Sequence, residues 1–395
     1  MAEREAVIVD TLRTTFGKRG GALATWHPAD LLAFALTELV QRTGIDPGTV
    51  DDVITGCVTQ SGEQACNLGR NAWVAAGLPQ HVPATTVDRQ CGSSQQAVHF
   101  AAAGVAAGHY DLVIACGAES MSRAPLASNA KGGIGPFPKS FLDVIDNRLW
   151  MQFRVAQVLA DRWKISREDM DAYSLESHRR AAEAWDSGHF AKEAIAVPIR
   201  DEEGRETGAL LETDEGIRRG GTMESLAALP PAQHWEPDTA PDITAGNSSQ
   251  MTDGAAAMLV AERSVAERLG LPIRARFAGF AVAAEDAAIV LSAPVPATHK
   301  LLDRTGMKVD DFDAMECNEA FASIALMWQR AFSPDPDKFN PRGGSIAIGH
   351  PLGASGVRIM TTLLNQLEAT GGRYGFQTMC EGGGQANATV IERLG

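Results

Sequence analysis

Three separated segments of this 395-residue chain carry side chains suited to one kind of chemistry. The run Val87-Asp88-Arg89-Gln90-Cys91-Gly92-Ser93-Ser94 sets a thiol directly before a stretch that reads as a helix start. The run from Gly343 to Gly356 contains Gly349-His350-Pro351-Leu352-Gly353, an imidazole in a glycine-rich turn. Cys380-Glu381-Gly382-Gly383-Gly384 sets a second thiol after an apolar run and before three glycines. A thiol, an imidazole and a second thiol, each on tight backbone, suit covalent acyl transfer.

A helix that begins at Gly92 or Ser93 would offer Cys91 unpaired N–H groups and a dipole that favour the thiolate. The alternative is a small buried residue at a helix end. Pro351 and the flanking glycines hold His350 on a rigid turn, where it suits a base towards a thiol and a donor to an oxyanion. A structural turn histidine is the alternative. Neither phosphate-loop pattern, G-x-x-x-x-G-K-[ST] nor G-x-G-x-x-G, occurs there. A second thiol at Cys380 suits proton transfer at carbon, and Gly382 to Gly384 expose N–H groups that suit an anion nest. A buried strand-end cysteine is the alternative. Asn318-Glu319-Ala320-Phe321-Ala322 opens a helix expected over 320–332, with Asn318 either its N-cap or an amide that orients a water or donor.

The elements that must position these groups alternate between strand and helix. Residues 6–10, 52–57, 111–117 and 374–380 read as strands, and 28–43, 95–107 and 357–367 as helices. Gly44 and Gly371-Gly372 read as helix stops. A reactive residue, a helix and a strand ending in cysteine occur twice, from Cys91 to Cys116 and from His350 to Cys380. The expectation is a duplicated α/β layered fold. Its first half spans 1–120 with 250–271, and its second half spans 272–395. Between them, 121–249 carries Gly-Pro turns, an amphipathic helix near 168–186, a charged stretch over 200–219 and Pro230, Pro231 and Pro237. This reads as an inserted loop domain.

Bulk properties narrow the rest. A net charge of −14 opposes a nucleic-acid partner, since a phosphate backbone demands a basic face. Six cysteines without C-x-x-C spacing argue for free thiols in a reducing cytoplasm, not disulfides or zinc, so no metal is expected. No apolar run is long enough to span a membrane, and Met1 to Asp10 lacks the apolar stretch of a secretory signal.

Taken together, the segments resemble the thiolase family across essentially the whole chain. The nucleophile block, Asn318-Glu319-Ala320-Phe321-Ala322, the His350 turn and the Cys380 turn follow the family's order. Thr222 to Leu226, Thr244 to Ser249 and Asp253 to Ala256 are also thiolase-like. The resemblance implies a duplicated five-layer αβαβα core with an inserted loop domain, and a homodimer or homotetramer. It implies Cys91 as acyl-accepting nucleophile, His350 as its activator and Cys380 as acid and base at the α-carbon. His350 with a water on Asn318 would form one oxyanion hole, and the N–H groups of Cys91 and Gly382 the other. Coenzyme A is the implied cosubstrate, with acyl-CoA as partner and no resident cofactor. Arg218 would lie near its nucleotide end, with Arg219 as a substitute, and Ser225, Ala245, Gly246 and Ser249 along it.

The chain also departs from the family pattern. Ser94 stands where many members have glycine, and Cys317 where an aliphatic residue is usual. Val290 to Pro294 lacks a methionine, and Trp150-Met151-Gln152-Phe153 lacks a His-Met arrangement, both typical of acetyl-specific biosynthetic members. The departures favour thiolytic cleavage of 3-ketoacyl-CoA over acetoacetyl-CoA synthesis. Cys380 argues against a decarboxylating ketosynthase. Asn318 argues against an inactive acyl-CoA- or lipid-binding scaffold.

Overall fold

The structure is a computed structural model that describes residues 4–149, 151–232 and 241–395. Trp150 and Pro237 lie outside the described residues. Nine strands form the main path of one large sheet: β1 (Ala6–Thr14), β2 (Asp52–Gly56), β3 (Ala84–Val87), β4 (Leu112–Ser120), β5 (Thr252–Glu262), β6 (Ala275–Ala284), β7 (Ala314–Cys317), β8 (Tyr374–Glu381) and β9 (Gln385–Arg393). Their order is β7-β8-β9-β6-β1-β5-β4-β2-β3. The two halves meet where β1 pairs antiparallel with β6, Val7 opposite Arg276 and Ile8 opposite Ala275.

Outward from that seam both halves repeat one pattern. In the first, β1 pairs antiparallel with β5, β5 antiparallel with β4, and β4 parallel with β2. In the second, β6 pairs antiparallel with β9, β9 antiparallel with β8, and β8 parallel with β7.

Six helices matter for the site: α1 (Pro28–Thr43), α2 (Ser93–Ala106), α3 (Arg167–Asp186), α4 (Pro294–Thr305), α5 (Ala322–Phe332) and α6 (Ser355–Thr370). Their ends follow local chemistry. His27 caps α1 by accepting from the Ala29 N–H, and Gly44 ends it in the left-handed region. Burial against the sheet orders the layers. Leu32, Leu36 and Leu39 of α1 pack on one face of the first-half strands with Val9, Ile114 and Leu259. On the opposite face, Val98 and Ala101 of α2 and Val357, Met360 and Leu364 of α6 meet Ile54, Val113 and Val260. The same cluster includes Ala314 and Ile391 of the second half. Beyond those strands, Leu301 of α4 and Trp328 of α5 pack with Phe376 and Val390. The result is five layers, αβαβα, with α2 and α6 at the centre.

The two central helices approach closely where both begin. Gly356 lies against Gln95, where a side chain would collide with backbone, and the Val357 N–H donates to Ser94 Oγ at 3.0 Å. Ser94 thereby ties the start of α2 to the start of α6.

The segment between β4 and β5 is fastened to the core by a buried cation. Arg13 on β1 pairs with Glu193 at 2.8 Å and with Asp214 at 2.7 and 2.9 Å, all three fully buried or nearly so. Asp214 also accepts from the Phe16 N–H and the Trp185 indole. Replacing Arg13 with Met would leave two buried carboxylates without their cation. The expected loss is about 3–5 kcal/mol in urea unfolding, and a loss under about 1 kcal/mol would refute this fastening role.

Candidate active site

The Cys91 turn is built by short side-chain bonds. Asp88 Oδ1 accepts from the Gln90 N–H at 2.7 Å, and Ser93 Oγ accepts from the Arg89 N–H at 2.9 Å while donating to the Gln90 carbonyl at 2.6 Å. Gln90 takes φ 48°, a costly conformation for a non-glycine residue. The chain then turns at Gly92 into α2, which starts at Ser93. Cys91 is buried in a cluster with Val58, Met121, Leu352, Ile359 and Met379. Leu352 follows His350 by two residues and Met379 precedes Cys380 by one, so one apolar cluster gathers all three sequence segments.

His350 reaches this cluster from the other half of the molecule. Gly349 takes φ 110°, where a side chain would strike Thr252. The His350 N–H donates to Thr252 Oγ1 at 3.1 Å. The next turn docks on the first half through Glu119, which accepts from the N–H groups of Val58, Thr59 and Gly353 and from Gln64 Nε2, at 2.8–3.0 Å. Burial raises the Glu119 pKa, and these four donors oppose that rise by favouring the carboxylate.

A directed chain of hydrogen bonds sets the imidazole. Arg358 Nη2 can only donate, and it donates to Ser345 Oγ at 2.8 Å. Ser345 Oγ therefore gives its own proton to Asn318 Oδ1 at 2.6 Å. That turns the Asn318 amide nitrogen towards His350 Nε2 at 3.3 Å, where nitrogen must donate and Nε2 must accept. On the far side of the ring, Ser355 Oγ donates to the Pro351 carbonyl at 2.8 Å and so accepts from His350 Nδ1–H at 2.6 Å. Both constraints give one tautomer, with the proton on Nδ1 and the lone pair on Nε2. Asn318 does not cap α5. That helix starts at Ala322, with Phe321 at its cap position.

Cys380, one residue before the end of β8, is fully buried among Ile289, Leu291, Phe321 and Ile346. Gly382 lies against the nucleophile turn, where a Cβ would sit 2.7 Å from Gln90 Oε1. Cys91, His350, Asn318, Cys380 and Gly382 thus meet in one region drawn from both halves.

Burial dominates the electrostatics. It pushes the Cys91 thiol up to about 12, aided by the charges of Glu381, Glu119 and Asp88 and opposed by its own N–H. It pulls His350 down to about 3, aided by the Arg358 charge. Burial also drives Cys380 well above the ordinary thiol range, with further contributions from Cys91, Cys317 and Glu381. The two thiols are therefore within electrostatic reach of one another. The helix start does not produce a resting thiolate, because loss of water outweighs the dipole. In the resting site thiol and imidazole are both neutral.

The residues expected along coenzyme A lie on the inserted segment. Arg218 lines an open cavity of about 900 Å³ with His178, Arg179, Arg219 and Met223. Its N–H donates to His178 Nδ1 at 3.1 Å, and its guanidinium has no carboxylate partner among the described residues. Arg219 is instead held by Asp186 at 2.7 and 2.8 Å, so the two arginines are not equivalent. Ser225 is exposed and closes a capping box with Thr222. Gly246 is buried under Leu226 and Leu229, Ala245 is exposed, and the Ser249 N–H donates to the Ala320 carbonyl at 2.9 Å. These four residues are not among those lining the Arg218 cavity.

Ser345, Ser355, Arg358 and Glu119 had no assigned role in the sequence. The serines lie inside the glycine-rich motif, but only folding shows their directions. Glu319 likewise accepts from Tyr173, Ser177 and the Ile346 N–H, holding the strand end that carries Asn318.

Two family models match, described as "Thiolase, N-terminal domain" over residues 6–264 and "Thiolase, C-terminal domain" over 271–393. The chain belongs to the thiolase family. It is 46% identical to a steroid 3-ketoacyl-CoA thiolase of Mycobacterium tuberculosis, covering 99% of this chain and 94% of that one. It is 41% identical to a beta-ketoadipyl-CoA thiolase of Pseudomonas aeruginosa, covering 99% and 100%. The crystal structure of the Bacillus anthracis acetyl-CoA acetyltransferase matches with a TM-score of 0.89 at 33% identity, covering all of both chains. As a thiolase the protein is an acyltransferase. Among the described residues no helix is long and apolar enough to cross a membrane.

Removing the Ser355 hydroxyl tests the tautomer lock. Ser355→Ala leaves the buried Nδ1–H unpaired and the ring's tautomer and orientation held from the Asn318 side alone. The expected loss is roughly 10- to 100-fold in kcat, with little change in KM. Unchanged kcat would show that the ring is held by other means.

Proposed function

We propose that this thiolase cleaves 3-ketoacyl-CoA with coenzyme A, giving acetyl-CoA and a shortened acyl-CoA. The observation that carries the reading is the preset lone pair of His350 Nε2 in the region that also gathers the buried Cys91 and Cys380 thiols. In the proposed reaction His350 takes the Cys91 proton as sulfur attacks the 3-keto carbon. The N–H groups of Cys91 and Gly382 stabilise the oxyanion on the carbon bonded to sulfur. The bond between C2 and C3 breaks, leaving the acyl group on Cys91 and an enolate of acetyl-CoA. The new Nε2–H of His350, with a water on Asn318, stabilises that enolate oxygen, and Cys380 protonates its carbon. In the return half the CoA thiol gives its proton to the Cys380 thiolate and attacks the acyl group. Cys91 leaves and recovers its proton from His350. Every proton is then back in place.

Arg218 is proposed as the cation near the nucleotide end of coenzyme A, and its open cavity and uncommitted guanidinium support this. Ser225, Ala245, Gly246 and Ser249 are proposed along the rest of the ligand. A cytoplasmic homodimer or homotetramer is the proposed form, supported by six free thiols and family membership. The likeness to an acetyl-CoA acetyltransferase structure supports a second reading, the reverse condensation to acetoacetyl-CoA. Relative kcat/KM for thiolysis of acetoacetyl-CoA and longer 3-ketoacyl-CoAs separates the two. The proposal predicts a preference for the longer substrates, and a strong preference for acetoacetyl-CoA would defeat it.

Intact-mass measurement after exposure to acyl-CoA is expected to show one acyl group on Cys91. Cys91→Ala is expected to lose the label and roughly 10⁴-fold or more in turnover, with the fold intact. Retained turnover would contradict the nucleophile assignment. Cys380→Ser is expected to slow α-carbon proton exchange of acetyl-CoA at least about tenfold more than it slows acylation of Cys91. Equal losses would remove the dedicated acid/base role.

A further inference from the structure

One buried acid near the two thiols has no part in the proposed reaction. Glu381 follows Cys380 on β8 and is fully buried. Neither of its carboxyl oxygens has a hydrogen-bond partner among the described residues. Its Oε1 lies against Gly92, so closely that any side chain there would collide with it, and Gly92 is the residue after Cys91. From β9, Asn387 crowds the same point, donating to the Gly92 carbonyl at 3.2 Å while its own Oδ1 is left unpartnered. The corner beside Gly92 therefore holds three buried acceptor oxygens without a hydrogen-bond partner among the described residues. An ionised carboxylate would be costly there, and an apolar side chain would fill the same space without that cost.

We propose that Glu381 is a positioning residue for the nucleophile, a buried carboxylic acid that must stay protonated for Cys91 to ionise. The inference rests on the reading of Cys91 as the acyl-accepting thiol. As an acid, Glu381 brings an O–H into a corner whose acceptor oxygens lack partners, near a sulfur that must become an anion. As a carboxylate, it brings a second negative charge and opposes the thiolate.

The charged and titratable groups around it fit this role. Arg89 and Asp88 face it from the turn before α2, Cys91 lies beyond Gly92, and Cys380 precedes it on its own strand. Arg89 is the cation among them, and its Nη1 is engaged by Gln385 at 2.9 Å. Burial raises Glu381 to about 8, with Arg89 opposing and Asp88 adding to the rise, so the acid form prevails at neutral pH. The sign follows. Above about pH 8 the carboxyl ionises and the Cys91 thiolate becomes harder to form. Below it that opposition is absent.

Glu381→Gln keeps the shape and stays neutral at every pH. The experiment measures iodoacetamide alkylation of Cys91 by peptide mass from pH 6.5 to 9.5, without coenzyme A, in both proteins. The expected ratio of variant to wild-type rate is flat at low pH. It climbs through about pH 8 to roughly tenfold or more, the change that one pKa unit gives. A ratio independent of pH, whatever its size, would overturn the proposal, since a merely structural change does not titrate. Infrared difference spectra give a second check. A carboxylic-acid carbonyl band present in the wild type and missing from Glu381→Gln is expected at pH 6.5 and is expected to fade across the same pH range, and its absence at pH 6.5 would also overturn the proposal. The difference separates it from Glu316, a second buried acid raised to about 8. The reading beneath is separable, because acyl labelling of wild-type Cys91 tests it alone.

Discussion

Exclusion of water is the condition on which this site depends. Cys91, His350 and Cys380 are all buried, and burial opposes the charge each would carry in the proposed acyl transfer. A resting ion pair of thiolate and imidazolium is therefore disfavoured. Charge has to form only when a substrate oxygen arrives to share it, which is the condition for stabilising a transition state without stabilising the ground state. The same dryness makes the fixed dipoles near the reacting atoms count for more than they would in water.

The fold meets this condition by making two halves share one site. The first half supplies the thiol at the start of α2, and the second supplies the imidazole ahead of α6 and the other thiol at the end of β8. Small residues let the two helix starts approach, and Glu119 bridges the Gly353 turn to the first half. Behind the imidazole, a chain from Arg358 through Ser345 and Asn318 has its direction fixed at its source, because a guanidinium cannot accept. The buried arginine thus orients a base without touching it.

Much of this was legible in the sequence. Helix α1 lies over 28–43 as its apolar spacing and Gly44 indicate, and α2 begins at Ser93 beside Cys91. Tyr374 to Cys380 is strand, as its apolar pattern requires. Motifs of short spacing identify reactive residues well because their backbone demands are local. The electrostatic state of Cys91 was not legible, since it depends on how many distant side chains exclude water from it. Nor were the directions of Ser345, Ser355 and Arg358, because hydrogen-bond polarity is a property of the assembled network. Arg358 is buried because α6 lies between the strands of the two halves, a placement that spacing along one helix does not give. The bond from the Val357 N–H to Ser94 Oγ was not legible either, since it joins two helices far apart in the sequence.

The central claim is that His350 rests as a neutral ring with its lone pair on Nε2. Nitrogen NMR of histidine-labelled protein, with His350 assigned by substitution, measures that state directly. The account predicts an Nδ1-protonated neutral imidazole throughout the range of about pH 5 to 8 in which an ordinary histidine titrates. An imidazolium at neutral pH, or a neutral ring with its proton on Nε2, would contradict it.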